Sequence, residues 1–233
     1  MSTSSFSQRL DQILKRMAVA AASVGRSVDD VTLIGVSKRK PIEDMQLAYS
    51  AGLRHFGENR AQEVRDKFAA FSPENITRHF IGHLQSNKVK YLPGRVDIIH
   101  TVDSTNIADQ IDQKFGEHGL RIAVLVEVNI SGESSKEGVG PEQAFSLASY
   151  CLEKPNLEFK GLMTIGPLTD DQTIIRQSFR HMRLLNDDIG QQLGLDKAGL
   201  ILSMGMSGDF EIAIEEGASH IRVGTALFGE REY

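Results

Sequence analysis

Apolar positions along the chain recur at two alternating periods. Phe6, Leu10, Ile13, Leu14 and Met17 return every three or four residues, which predicts an amphipathic helix over residues 4–24. The stretch VTLIGVSKRK, residues 31–40, then reads as a buried strand. Five of its first six residues are apolar or β-branched, as in a parallel strand covered on both faces. Alternation puts Ile34, Val36 and Lys38 in one row, so the strand is expected to end in a lysine at the rim of an apolar surface. The rhythm then repeats. Helices are expected over residues 42–51, 60–71, 86–92, 104–117, 141–153, 171–193 and 209–216, with Gly52 as a stop, Ser104 as an N-cap and Pro141 as a first helical residue. Strands are expected over 55–59, 78–82, 96–102, 121–130, 157–166, 200–206 and 220–228.

Eight strands alternating with helices predict an α/β fold, a single TIM-type (β/α)8 barrel with an extra N-terminal helix. Residues 1–30 form the helical extension and residues 31–233 the barrel. An open doubly wound sheet fits less well, because the first turn, SKRKPIED, has no glycine fingerprint. Composition narrows the partners. Hydrophobic residues are 40% and charged residues 24%, ordinary for a globular protein. The net charge of −5 argues against nucleic acid or an anionic membrane as partner. The single cysteine, Cys151, excludes an internal disulfide and reads as core packing. The N-terminus has no basic start followed by an apolar run, and no apolar run is long enough to span a bilayer. The expectation is a cytoplasmic protein.

In such barrels the working residues lie at the C-terminal strand ends. Those ends are Lys38, Asn59, Gly82-His83, Asn129, Met163-Thr164, Ser207 and Gly224-Thr225. A partly desolvated lysine can attack carbonyls, although most lysines at strand ends merely reach into water. Ser207-Gly208 after strand seven and Gly224-Thr225 at strand eight stand where barrels often hold a phosphate. Ordinary helix capping and turn formation explain each segment taken alone, and Asp209 and Glu211 favour that reading. Arg222 shares a face with Gly224 and needs an acceptor inside the barrel. A pyridine nitrogen would serve, as would a carboxylate partner. A reactive lysine facing a phosphate seat fits either a Schiff-base aldolase acting on a sugar phosphate or a lysine-bound pyridoxal 5′-phosphate (PLP).

The segments VSKRKP, HFGENRAQE, RHFIGHLQSNK, VNISGESSKEGV, GLMTIGP and MGMSGDFEIAIEEGASHIRVGTALFG together resemble the pyridoxal phosphate homeostasis proteins. These are small relatives of the N-terminal barrel of alanine racemase. The resemblance runs from about residue 31 to the end of the chain, and departs at Arg78, where many members carry an aromatic residue. It implies one PLP-binding barrel domain with PLP held as an aldimine on Lys38. The phosphate would lie on Ser207, Gly208, Gly224 and Thr225, Arg222 would face the ring nitrogen, and Asn59 would lie on the lysine side of the ring. Lys136 is a further candidate, against the plainer reading of a solvated loop lysine. The family is regarded as lacking a demonstrated reaction and as acting in PLP supply and in the balance of amino and keto acids.

The residues bear on catalysis separately. Racemisation in the alanine racemase manner needs a base on each face of the cofactor. Here the chain ends at Tyr233, directly after the barrel, and Tyr49, Tyr91 and Tyr150 fall in expected helices. His83 is a weaker candidate base. The expectation is therefore a monomeric PLP carrier with no catalytic residue and no metal, whose recipients would be PLP-dependent apoenzymes. A racemase-like PLP enzyme acting on a small amino acid is the alternative.

Overall fold

The computed structural model describes residues 3–133 and 136–229. Eight parallel strands close into a barrel: β1 Thr32–Val36, β2 His55–Glu58, β3 Thr77–Phe80, β4 Ile98–Val102, β5 Ile122–Glu127, β6 Leu157–Met163, β7 Ile201–Ser203 and β8 His220–Val223. Neighbours in sequence are neighbours in the barrel, and β1 closes on β8 through Ile34 opposite Arg222. The helices are α1 Thr3–Ser23, α2 Ile42–Ser50, α3 Ala61–Ala70, α4 Thr105–Gly116, α5 Pro141–Leu152, α6 Gln172–Gln192, α7 Phe210–Glu215 and α8 Thr225–Phe228, and residues Ser86–Tyr91 form a 3-10 turn. No described helix is long and apolar enough to cross a membrane.

The main apolar core lies between strands and helices, where outward residues such as Leu33, Phe56, Phe80, Val124 and Ile221 meet the buried faces of the helices. The barrel lumen is filled differently. A side chain at Gly57 would strike Ile34 and Ile81, which places those isoleucines inside. A band of polar residues lies beside them, described below.

The N-terminal helix has a structural task. The crossover after β8 is reduced to the single turn α8, so the ring of helices lacks a full eighth member. Helix α1 packs against α7, α8 and α2 and fills that place. Phe6, Leu10, Ile13 and Met17 form its buried stripe, and Phe6 stacks on Phe228 with ring centroids 5.4 Å apart.

Every strand but β4 stops earlier than expected, β2 at Glu58, β3 at Phe80, β5 at Glu127 and β6 at Met163, and three cases bear on the site. β1 ends at Val36; the Ser37 N–H makes one more bond to the Gly57 carbonyl, and the chain then turns through Arg39 at φ 59°. Lys38 therefore sits in a turn beyond the strand. β7 ends at Ser203 rather than reaching Met206. β8 ends at Val223, because Gly224 at φ −109°, ψ −84° leaves the extended region and its carbonyl accepts from the Leu227 and Phe228 N–H groups. The apolar run Ala226-Leu227-Phe228 is thus helical, an ambiguity that a short apolar run always carries.

Candidate functional site

The turn that carries Lys38 is fixed from both sides. Ser37, fully buried, donates its hydroxyl to Glu58 Oε1 at 2.7 Å. Lys67 of α3 reaches back to the Ser37 carbonyl at 2.8 Å, Glu58 Oε1 at 2.9 Å and Glu63 Oε2 at 2.7 Å. The Arg39 N–H donates to Glu63 Oε2 at 2.8 Å. The residues before and after Lys38 are therefore tied to one ionic cluster, which holds Arg39 in its left-handed conformation against a cost of about 1–2 kcal/mol. Burial pushes the Glu58 carboxyl up to about 7 despite the Lys67 ammonium. Burial also opposes ionisation of Glu63, yet Lys67 and the Arg39 N–H hold it below its ordinary value. Lys38 is half-buried and shares a cavity of about 220 Å³ with Asn59, Arg60 and Glu63.

The ends of β7 and β8 meet at a second corner. Ser207 Oγ accepts the Ala226 N–H at 3.4 Å, joining the loop after β7 to the first turn of α8. Among the described residues the N–H groups of Ser207, Gly208 and Thr225 take no hydrogen bond, so three backbone donors remain for a ligand. Asp209 Oδ1 accepts the Met206 N–H at 2.6 Å and closes the loop. Among the described residues, no heavy atom beyond Gly208 and its two chain neighbours lies within 4 Å of where a Cβ of Gly208 would stand, whereas a Cβ on Gly224 would approach Val36 at 3.5 Å. That contact brings this corner against the end of β1, two residues before Lys38. Gly208 also borders a groove of about 340 Å³ with Leu168 and Asp170.

Arg222 points into the barrel and is 4% exposed. It donates from Nη1 to Ser203 Oγ at 2.7 Å and from Nη2 to the Thr164 carbonyl at 2.8 Å. It forms no ion pair among the described residues, so neutral acceptors of β7 and of the residue after β6 satisfy two of its five donors. Burial lowers its pKa to about 10, with Glu127 and Asp209 pulling the other way. From Ser203 a row of rings crosses the lumen. Ser203 Oγ lies 3.0 Å from His100 Nδ1, His100 Nε2 lies 2.9 Å from His79 Nδ1, and His79 Nε2 lies 3.0 Å from His55 Nδ1. His220 stacks edgewise on His79 and His100. Burial holds all four imidazoles below their ordinary pKa, His79 and His100 far below it and His220 at about 4.

The remaining candidates divide. Asn59 follows β2 with its Oδ1 buried and unpartnered among the described residues, and its carbonyl approaches so closely that a Cβ on Gly82 would stand 2.1 Å away. Lys136 is not a solvated loop lysine: its ammonium contacts Glu133 at 2.6 Å, the Gly166 carbonyl at 2.8 Å and Ser131 at 3.1 Å. His83 is exposed, 3.5 Å from Asp103 and 3.6 Å from Glu137. These three can converge on one point, with their ligand atoms within 4.8 Å of one another. Arg78 pairs with Asp97 at 2.7 Å at the start of its strand, away from all of these. Tyr233 lies outside the described residues.

The motifs do not single out the groups that brace the site: Glu58, Glu63 and Lys67, the histidine row, Ser203 and Glu127; Thr164, expected at a strand end, gives its carbonyl to Arg222. Glu127 had a visible signal, a carboxylate inside the apolar strand RIAVLVEVNI. Histidines within β2, β3, β4 and β8 are a second signal, which becomes legible once the strands are placed in one barrel.

A family model for the alanine racemase N-terminal domain matches residues 9–232. A pyridoxal phosphate homeostasis protein of Aquifex aeolicus is 44% identical over 226 residues, covering 97% of this chain and 98% of that one. The protein of the same name from Vibrio cholerae is 38% identical over 233 residues, covering 98% of each. Among solved structures, PipY of Synechococcus elongatus with PLP bound superposes with a TM-score of 0.79 at 35% identity, covering 93% of this chain and all of that one. Alanine racemase of Clostridium difficile shares the fold, with a TM-score of 0.70 at 14% identity over 60% of its length. The barrel thus belongs to the alanine racemase N-terminal domain family, and within it to the pyridoxal phosphate homeostasis proteins.

Proposed function

We propose that this chain binds PLP, held covalently at Lys38 Nζ, and acts as a monomeric cytoplasmic reserve of the cofactor for PLP-dependent apoenzymes rather than as an efficient catalyst. The observation that carries the reading is the corner between β7 and β8. Three unspent N–H groups and the Ser207 hydroxyl gather there, against the end of the strand that leads to Lys38. Ser207, Gly208, Gly224 and Thr225 would take the phosphate, and Asn59, which shares the Lys38 cavity, would contact the ring. PLP supplies an aldehyde that amines attack and a ring that withdraws electrons. The protein's own part is to position and to restrain. The braced turn holds Lys38 at the mouth, and Arg222 keeps a permanent positive charge toward the ring nitrogen, which disfavours the protonated ring that strong electron withdrawal needs.

The three described tyrosines stand away from the barrel mouth, which supports the carrier reading. Tyr49 donates to the Glu74 carbonyl and Tyr150 to Asp109, both on outer helices, and Tyr91 ends the 3-10 turn. The relative with PLP bound supports the choice of cofactor. The deciding experiment is an absorbance spectrum of the purified protein before and after borohydride, with the labelled peptide mapped. The expected label is on Lys38, and Lys38→Ala is expected to fold normally and stay colourless. A colourless wild type that takes up no PLP refutes the reading. Rapid wash-in of deuterium at the α-carbon of an added amino acid favours the racemase-like alternative.

A further inference from the structure

A second cavity, of about 230 Å³, opens at the ends of β3 and β5. It is bordered by Asn59, His83, Glu127, Lys136 and Glu137, and shares only Asn59 with the cavity of Lys38. Two buried acceptors have no partner there, Glu127 Oε2 and Asn59 Oδ1. Glu127 is 4% exposed, so water does not satisfy its oxygen from bulk. The nearby cations are already engaged. Lys136 spends its three donors on Glu133, Ser131 and the Gly166 carbonyl. Arg222 donates to Ser203 and Thr164, and no ion pair joins it to Glu127 among the described residues. Asp103 and Glu137 add further negative charge around Glu127. The cavity therefore offers two unpartnered acceptors beside several carboxylates, and its complement is a group that brings N–H donors and positive charge.

We propose that this cavity receives the ammonium group of a small primary amine, accepted by Glu127 and Asn59, beside the Lys38 turn. The inference deepens the proposed function by naming a ligand class for the same mouth, since an amine seated here stands next to the lysine that would hold PLP. Amine binding does not itself require PLP, so the two readings fail separately.

The test is calorimetric titration of the full chain, as purified and after PLP loading, with ethylammonium chloride, with ethanol as the neutral isostere, and with MgCl₂ or ZnCl₂. The expected result is saturable ethylammonium binding, no ethanol binding, and at least tenfold weaker ethylammonium binding in Glu127→Gln. Glu137→Gln, at an exposed position, is expected to fold regardless and to weaken binding two- to threefold. Burial sets the Glu127 carboxyl at about 7, with Arg222 of β8, Asp103 after β4, His83 after β3, and Lys136 and Glu137 after β5 around it. The carboxylate is the binding form, so affinity is expected to rise about tenfold between pH 6 and pH 8. Absence of saturable ethylammonium binding overturns the proposal, as does equal binding by Glu127→Gln. A divalent cation that binds where ethylammonium does not, and is lost in Glu127→Gln, overturns it in favour of a metal site. PLP uptake without amine binding refutes this inference alone, and amine binding without PLP uptake refutes the carrier reading alone.

Discussion

Acidification is expected to unfold this barrel from its lumen outward. Three buried histidines drive the effect: His79 and His100, far below their ordinary 6.5, and His220, at about 4. Their folded pKa values are depressed, so the unfolded chain takes up protons first. The stability they confer is complete above pH 6.5 and is lost as pH falls toward the folded values. Glu58 and Glu127 work in the opposite sense. Burial raises both from 4.5 to about 7, so over that interval the folded state binds more protons and acidification favours it. Counting protons on these five groups, the two sets balance near pH ~6.5, where stability should peak. Below that the histidines prevail, and the slope steepens to the order of 2 kcal/mol per pH unit at pH 5. The integrated loss between pH 6.5 and pH 4.5 is on the order of 2 kcal/mol, a sizeable share of the ~5–15 kcal/mol typical of a domain. Glu63 and Glu216, held low by their cationic partners, add to the loss in stronger acid. Urea unfolding followed by circular dichroism at half-unit pH steps measures the curve. His220→Asn should flatten the slope at pH 5 by about 1 kcal/mol per pH unit. A flat profile, or stability that rises from pH 6.5 to pH 5, refutes the reasoning.

Three further substitutions probe the frame around the site. Gly161 has φ +133°, and a Cβ there would stand 2.0 Å from the Ile201 carbonyl oxygen, so Gly161→Ala should cost about 2–4 kcal/mol in urea unfolding. Ser203→Ala removes the oxygen shared by Arg222 and His100; a loss of about 2 kcal/mol is expected, and a neutral outcome would show that the hydroxyl does not bridge them. At Arg39, φ 59°, Arg39→Val should destabilise by over ~1 kcal/mol while Arg39→Gly should not, since only glycine adopts that region without strain.

The order of elements was legible in the sequence because period-two and period-3.6 patterns alternate with little interruption, and Ser104 and Pro141 mark helix starts as expected. The errors fall where local pattern has no authority. Nothing in VSKRK says that pairing stops at Val36; that is decided by Glu58, Glu63 and Lys67 gripping Ser37 and Arg39 from another element. The run ending at Phe228 is equally apolar as strand or helix, and Gly224 together with the Phe6 contact selects the helix. Of the candidate ligand residues, Lys38 and Asn59 were readable as strand ends, and the structure places them in one cavity. The lumen histidines were not, because His55 and His100 are 45 residues apart and become neighbours of His79 only when the barrel closes.

The row from Arg222 to His55 has a direction. A guanidinium can only donate, so Ser203 Oγ accepts from Arg222; its single hydrogen finds no other acceptor among the described residues, which favours donation to His100 Nδ1. That makes His100 a donor at Nε2, which makes His79 an acceptor at Nδ1 and a donor at Nε2, and the same follows for His55. With that donation all three rings share one tautomer, and every N–H of the row points away from Arg222 toward His55. Reversing one ring would set two hydrogens or two lone pairs face to face, so the tautomers switch together or not at all. The one residue of the row that is never neutral thus biases the proton placement of the three rings beyond it.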